Sequence, residues 1–496
     1  MLLPPFHLAR RVAHSVLLDC SLQNAHCGPS LDYIFRREPM KPAVIAHATA
    51  VVYGVLRHRS LLDFALAQLT SLDPIDESCR TTLRIGAFEM LVLNVDPSRA
   101  VSGAVQTQSE RWAKGLANGV LRSLSEKRQT LLRPEEDERL SPIQALAVRR
   151  SLPEWLLVEL EGRLGWKGVK EWARQTAKPP PLALRTNPVQ AKASQVEETL
   201  KSHGISTRRW MPNAERDRAM ERSGTPLLIH SRGHSVPSIP GYSEGWWSVQ
   251  DAASQLATRL AAPPPHALVL DMCAAPGGKA CHLAQHLADT GKVLAVDINA
   301  HKLKRVQKQA ERLRLRSVST AHMDATDAGA LSTLLEEHGG ARNASAADLL
   351  SIPTGKADCV MLDAPCSGLG TLRRNPECRY TSQDDVRELS RLQDRLLDAA
   401  AKCVLPGGSL TYTVCTPTVA EGPERVKELL RRRPGWFEVE EIPTALKPFA
   451  GSLAQHHDDS STSTKYSCIN TWTHLHDECD TFFAVKLKRS LKSQNE

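Results

Sequence analysis

Long apolar runs are missing from this 496-residue chain: no stretch approaches the 18 uninterrupted apolar residues of a membrane-spanning helix. Its N-terminus, MLLPPFHLARRVAH, carries a basic pair after, not before, a very short apolar patch, unlike a secretory leader. A cytoplasmic protein with no membrane partner is expected. Twelve cysteines are scattered without a CxxC pair and without Cys/His spacing of the zinc kind, so neither a disulfide framework nor a metal site is indicated. His456-His457 and the His474/His476 pair have no partner cluster, and reduced thiols are the expectation. The net charge of +8 and pI near 8.9 favour a polyanionic partner.

The length suits about three domains, and 41% hydrophobic residues suffice for real cores. From Leu8 to about Leu132 apolar helical stripes (Val12, Val16, Leu17; Ala48, Val52, Leu56; Leu61 to Leu69) alternate with short polar breaks, and strand signal is nearly absent. Even Leu83 to Phe88 reads as helix, because Leu83, Ala87, Met90 and Leu91 keep helical spacing. The charged break Arg133 to Glu138 precedes a boundary before Pro153. A helical passage follows to Lys178, closed by Pro179-Pro180-Pro181. Leu182 to Arg185 and Ile205 to Thr207 read as strands around a helix from Ala191 to His203. Behind this small α+β piece, Arg208, Arg209, Arg216, Arg218 and Arg222 surround Trp210, a mixture suited either to nucleic acid or to a solvated loop. Ser248 is a candidate N-cap for the next helix. The expected division is an all-α domain over 1–145, a helical linker and small α+β subdomain over 146–240, and an α/β Rossmann-like domain over 241–490.

Ala267 to Leu270 is a short apolar run of the kind buried on both faces of a parallel sheet, and it ends at Asp271. Pro276-Gly277-Gly278 follows, then Ala280, Leu283, Ala284 and Leu287 at helical spacing. A strand, a glycine loop and a helix make a nucleotide-type site in doubly wound sheets. The loop has neither GxGxxG nor GxxxxGK[ST] spacing. A second run, Val293 to Val296, ends at Asp297, whose carboxylate can accept from a ribose diol, and a third, Val318 to Met323, ends at Asp324. Residues 336–356 look like an inserted loop. A fourth run, Cys359 to Leu362, ends in Asp363-Ala364-Pro365-Cys366-Ser367-Gly368. A helix over 384–402 leads to a fifth, Ser409 to Thr413, with Cys415 at its tip. Two cysteines at neighbouring strand tips fit poorly with the usual role of cysteine as a small core residue.

The stretches RTTLRIGAFEML, Ala100 to Val105 and GLANGVLRSL resemble the helical NusB-type RNA-binding module, which implies phosphate contacts by Arg111, Lys114, Arg122, Lys127 and Arg128. The run Asp271 to Lys279, the run Asp363 to Gly368 and Cys415 are similar to S-adenosylmethionine-dependent RNA (cytosine-5) methyltransferases. With the N-terminal module the resemblance extends to the bacterial RsmB (Sun/Fmu) type, which methylates cytosine in 16S ribosomal RNA. It implies that Cys273, Ala274, Ala275, Pro276, Gly277, Gly278 and Lys279 wrap the methionine end of the cofactor. Asp297 would hold its ribose and Asp324 its adenine side, while Asp363 borders cofactor and base. It also implies Cys415 as the thiol that adds to ring carbon 6, Asp363 as the carboxylate on the base, and Cys366 as the group assisting loss of the carbon-5 proton. An ordinary thiol is only a few per cent ionised at neutral pH, so the site must activate it. The run after Cys415 departs from the family's Pro-Glu-Glu-Asn-like pattern, with Ala420-Glu421-Gly422 there, which bears on positioning and rate. The expected partner of this monomer is 16S rRNA or a pre-ribosomal particle. The rival readings are the same chemistry on transfer RNA or another ribosomal site, and a non-catalytic RNA-binding assembly factor.

Overall fold

The computed structural model describes residues 5–23, 25–127, 131–210, 224–230, 235–339, 355–451, 453, 467–476 and 479–491. Its contacts divide the chain into two compact units, Met1–Pro179 with Thr371–Ser382, and Pro180–Gly370 with Gln383–Glu496.

The first unit is helical: α1 (Pro5–Gln23), α2 (Cys27–Arg37), α3 (Pro42–Ala67), α4 (Glu77–Leu91), α5 (Pro97–Val105), α6 (Arg111–Lys127), α7 (Pro142–Arg150) and α8 (Glu154–Thr176). Asp76 starts α4 by accepting from the Cys79 amide, and Leu83 to Phe88 lie inside that helix, all buried. Gly54 of α3 is required by α4, since a Cβ there would overlap the Phe88 ring. In α6 Ala113, Ala117, Val120, Leu121 and Leu124 face the core, which turns Arg111, Arg122 and Lys127 to solvent. Arg128 lies outside the described residues. α7 packs on α3, and Ser151 Oγ accepts from the Ser60 amide at 3.0 Å. Residues 146–179 therefore group with the helical unit, whereas spacing alone joins them to the α+β piece.

Thr371–Ser382 reaches this unit from far along the chain. Glu377 accepts from His26 and Cys27, Tyr380 donates to the Leu56 carbonyl, and Arg379 donates to the carbonyls of Arg150 and Thr176. The long side chains of Arg379 and Tyr380 thus complete a helical core more than two hundred residues upstream. Removing the N-terminal helices would strip the partners from this segment.

The second unit contains a four-stranded antiparallel sheet, β2-β3-β1-β4, made of β1 (Leu182–Thr186), β2 (Arg208–Arg209), β3 (Pro226–Ile229) and β4 (Trp247–Val249), with α9 (Ala193–Ser202) against it. Three sequence readings change here. The strand lies at Arg208–Arg209 rather than Ile205 to Thr207, because only the former pairs with β3. Ser248 is within β4, and Asp251 caps the next helix by accepting from the Ala253 amide. Trp210 is buried, not offered to a nucleic acid: it stacks on Phe449 with ring centroids 5.0 Å apart. Arg209 is paired with Glu197 at 2.6 Å, and Arg216, Arg218 and Arg222 lie outside the described residues.

Among the described residues the larger sheet has nine strands. Its parallel part is β5 (Leu268–Met272), β6 (Lys292–Asp297), β7 (Val318–His322), β8 (Ala357–Asp363) and β9 (Val404–Val414), in the spatial order β7-β6-β5-β8-β9. Of the others, β10 (Phe437–Val439), β11 (Ala450–Gly451), β12 (Cys468–Thr471) and β13 (Phe482–Arg489), β13 joins β9 antiparallel and carries β12 and β10. Val269, Val293 and Met361 face a core with α10 (Ala252–Ala261), α11 (Gly278–His286) and α12 (Ala300–Arg312). Leu268, Leu270, Leu294 and Val360 face the other, with α13 (Ala328–Gly339), α14 (Gln383–Cys403) and α15 (Pro423–Arg432). Burial on both faces is why these strands read as continuous apolar runs. Each fully buried Leu or Val contributes about 1.5–3 kcal/mol.

Candidate active site

The order β7-β6-β5-β8-β9 places a topological switch between β5 and β8, so their carboxyl ends open one crevice. The turn after β5 bears the glycine loop. Cys273 has φ 60°, Gly277 has φ 103°, and the Ala275-Pro276 peptide is cis. A Cβ at Gly277 would press on the Val306 backbone, so glycine lets α11 start close to α12. Asp297, at the tip of β6, holds this loop: its Oδ2 accepts from the Ala275 amide at 3.1 Å and its Oδ1 from the Asn299 amide at 2.8 Å. Asp324 is exposed beyond β7. Its Oδ1 accepts from the amide and hydroxyl of Thr326, both at 2.9 Å, and these bonds hold its pKa down.

Lys279 and Asp363 form the centre. Lys279 Nζ lies 2.6 Å from Asp363 Oδ2, and Thr413, the register partner of Asp363 on β9, donates to Oδ1 at 2.9 Å. Burial opposes the charge on Lys279, but Asp363 outweighs it and raises the lysine pKa. Asp271 lies in β5 with no exposure, and neither carboxylate oxygen has a hydrogen-bond partner among the described residues. Burial, then the nearby Asp363, pushes its pKa far up. Cys273 is likewise pushed up, by burial and by Asp297.

The two strand-tip cysteines meet. Cys366 Sγ and Cys415 Sγ are 3.4 Å apart. The hydrogen bond to Cys415, then burial and the Glu421 carboxylate, push the Cys366 thiol up. Glu421 is fully buried beneath both loops. Its Oε1 accepts from the Ser367 amide (2.7 Å), and its Oε2 from the hydroxyls of Ser367 (2.6 Å), Thr418 (2.9 Å) and Thr416 (3.1 Å). One carboxylate therefore ties the residue after Cys366 to the residue after Cys415. The departure noted around Ala420-Glu421-Gly422 keeps the group that does this positioning. Gly370 closes the arrangement: its amide donates to the Cys415 carbonyl at 2.9 Å, and a Cβ there would overlap the Thr481 carbonyl oxygen.

Sequence spacing does not single out Arg185, Thr413 or Gly370. Arg185 is fully buried at the end of β1. It donates to Gln285 (2.8 Å), to the Gly278 carbonyl (2.8 Å) and to Gln250, and burial pushes its pKa down. It anchors the first turn of α11 to the small sheet.

Residues 258–488 match the family described as 16S rRNA methyltransferase RsmB/F, and residues 7–126 match the NusB family. The ribosomal RNA small subunit methyltransferase B of Pseudomonas syringae pv. tomato is 30% identical over 415 residues, covering 82% of this chain and 83% of that one. The chain belongs to the ribosomal RNA small subunit methyltransferase B family. It is an RNA methyltransferase, and S-adenosylmethionine is its cofactor. A probable member from Synechocystis is 28% identical across 97% of this chain and 99% of its own. The fold matches the crystal structure of PH0851 with a TM-score of 0.73 at 22% identity, covering 98% and 99% of the two chains. NSun6 from Pyrococcus horikoshii, solved with SFG, matches with a TM-score of 0.51 at 21% identity over 69% of this chain and 99% of that one.

The donor set suits that cofactor. Asp297, Asp324 and Asp363 lie close to Cys273, and the one lysine, Lys279, offsets only Asp363, so the crevice favours a ligand with positive charge, as a sulfonium and an ammonium provide. Arg185→Met is expected to weaken cofactor binding in the intact chain about tenfold, the scale of 1.4 kcal/mol. Calorimetry with equal affinities would show that the loop holds itself without Arg185.

Proposed function

We propose that this methyltransferase modifies carbon 5 of an unpaired cytosine in 16S ribosomal RNA through a covalent bond between Cys415 and the base. The observation that carries the reading is the pair of thiols 3.4 Å apart at adjacent strand tips, beside a carboxylate held by Lys279 and Thr413. The loop Cys273 to Lys279 would hold the methionine end of the cofactor, Asp297 its ribose and Asp324 its adenine side. Bound there, S-adenosylmethionine supplies the methyl group.

Carbon 5 of cytosine is a weak nucleophile until a thiolate adds at carbon 6. As the Cys415 sulfur bonds to carbon 6, the electron pair of the ring double bond becomes available at carbon 5. Asp363 faces the amino group and ring nitrogen 3, where polarity changes during addition, and Lys279 and Thr413 fix its two oxygens. Removal of the carbon-5 proton, assisted by Cys366, restores the double bond and expels Cys415 as thiolate. Cys366 must shed its own proton before it can take another. Because its pKa is raised, that resolving step is expected to quicken as pH rises. The target must be single-stranded or extruded for a thiol to reach carbon 6. Removing the gene should erase one 5-methylcytosine from 16S rRNA in a bisulfite map of total RNA. A loss confined to transfer RNA or another ribosomal site would reassign the substrate, and an unchanged map would sink the reading.

A further inference from the structure

We propose that the helical unit carries a second RNA site, a pocket for an unpaired nucleobase at the start of α1, separate from the basic face of α6. A cavity of about 1390 Å³ opens between α1, α3, the turn Leu93 to Asp96 and α5. Arg10 and His7, both more than nine-tenths buried, line it on one side, and Asp96, Arg99 and Gln106 add polar groups around it. Arg10 Nε donates to both oxygens of the fully buried Glu89, at 2.9 and 2.8 Å, and His47 Nε2 lies 2.8 Å from the same carboxylate. The terminal amino groups of Arg10 have no hydrogen-bond partner among the described residues, nor has the buried Nδ1 of His7. Gly103 makes room for this guanidinium, since a Cβ there would overlap it.

The chemistry selects a base over a phosphate. Glu89 offsets the charge of Arg10 and Asp96 that of Arg99, so the lining is close to neutral and has little pull on an anion. Two parallel amino groups match the paired acceptors on a base edge. Ala43, Ala46, Ala50 and Leu93 supply flat apolar walls, and Phe6 stands 47% exposed at the mouth, its ring 4.8 Å from that of His47. An exposed aromatic beside fixed donors is how single-stranded bases are held by stacking and edge recognition. RNA is the partner its family membership supplies. The proposal rests on the substrate being RNA and not on the cytosine chemistry.

The test uses the full chain without cofactor, a labelled single-stranded oligoribonucleotide, and an abasic strand of equal length. Phe6→Ala is expected to weaken binding of the base-bearing strand about tenfold, and His7→Ala several-fold, with the abasic strand bound as by the parent. Cofactor affinity should be unchanged in both variants, and the thermal midpoint unchanged in Phe6→Ala, whose ring is half exposed. A 4-thiouridine strand should crosslink to α1 or α5. Parent-like binding of the base-bearing strand by both variants would overturn the proposal, and so would equal losses on the abasic strand. Loss of a protein partner with RNA binding intact would overturn it as well. None of these outcomes depends on Cys415, so a failure of the covalent mechanism shows separately, as absence of adduct or of 5-methylcytosine.

Discussion

Cys415→Ala is expected to abolish methylation and every covalent protein–RNA adduct, while Cys366→Ala forms the adduct and then stalls. Both lose turnover, by at least about 10³-fold, the scale seen when a group that acts covalently is removed. They differ in kind. Two sulfurs 3.4 Å apart do not both ionise readily, because the second negative charge meets the first at close range. The hydrogen bond to Cys415, burial and the Glu421 carboxylate work against a thiolate at Cys366, which agrees with the proposed attack by the other sulfur. Cys366 shares a hydrogen bond with the sulfur proposed to react. Without it, addition at carbon 6 proceeds and proton loss from carbon 5 fails. Denaturing gels of each variant with substrate RNA and cofactor separate the cases. An adduct with Cys415→Ala and none with Cys366→Ala would assign the attack to the Pro365-Cys366 thiol, as in DNA cytosine methyltransferases, and would overturn the mechanism.

The parts of this site that were legible in the sequence lie at the ends of apolar runs. Leu268 to Leu270, Val293 to Val296 and Cys359 to Leu362 are buried on both faces, so composition alone marks them as parallel strands, and the residues after them must share one edge. The supporting groups obey no such rule. Arg185 reads as an ordinary strand end, and its value depends on Gln250, Gln285 and Gly278, which arrive from 65 to 100 residues away. Trp210 among arginines has the composition of a nucleic-acid contact, but Phe449 covers its ring, and no local pattern predicts a partner so distant. Thr371–Ser382 looks like part of the loop after Cys366. Its assignment to the helical unit depends on contacts such as Tyr380 to Leu56, which only the tertiary structure creates.

Glu421 offers the second large effect, and it separates holding the thiols from reacting with the base. Glu421→Ala takes the acceptor from the Ser367 amide in a dry interior and leaves the hydroxyls of Ser367, Thr416 and Thr418 only one another to bond. Each unsatisfied group costs about 1–3 kcal/mol, so this variant is expected to lose much of the unit's stability. Glu421→Gln keeps the volume and one oxygen. It can still accept from Ser367, while its amide group faces hydroxyls that must turn to accept from it. That variant should fold and bind cofactor as the parent does, because none of the proposed cofactor residues touches Glu421. Its rate of methyl transfer at saturating RNA should fall about 10²-fold, the scale for reacting groups displaced by about 1 Å. The RNA concentration for half-maximal rate should change little. The resolving step should also become less dependent on high pH, since one source of the raised Cys366 pKa is gone. Single-turnover rates of Glu421→Gln across pH, beside its thermal midpoint, read both effects. A parent-like rate and pH profile in a folded Glu421→Gln would show that the two cysteine loops hold their geometry without the carboxylate.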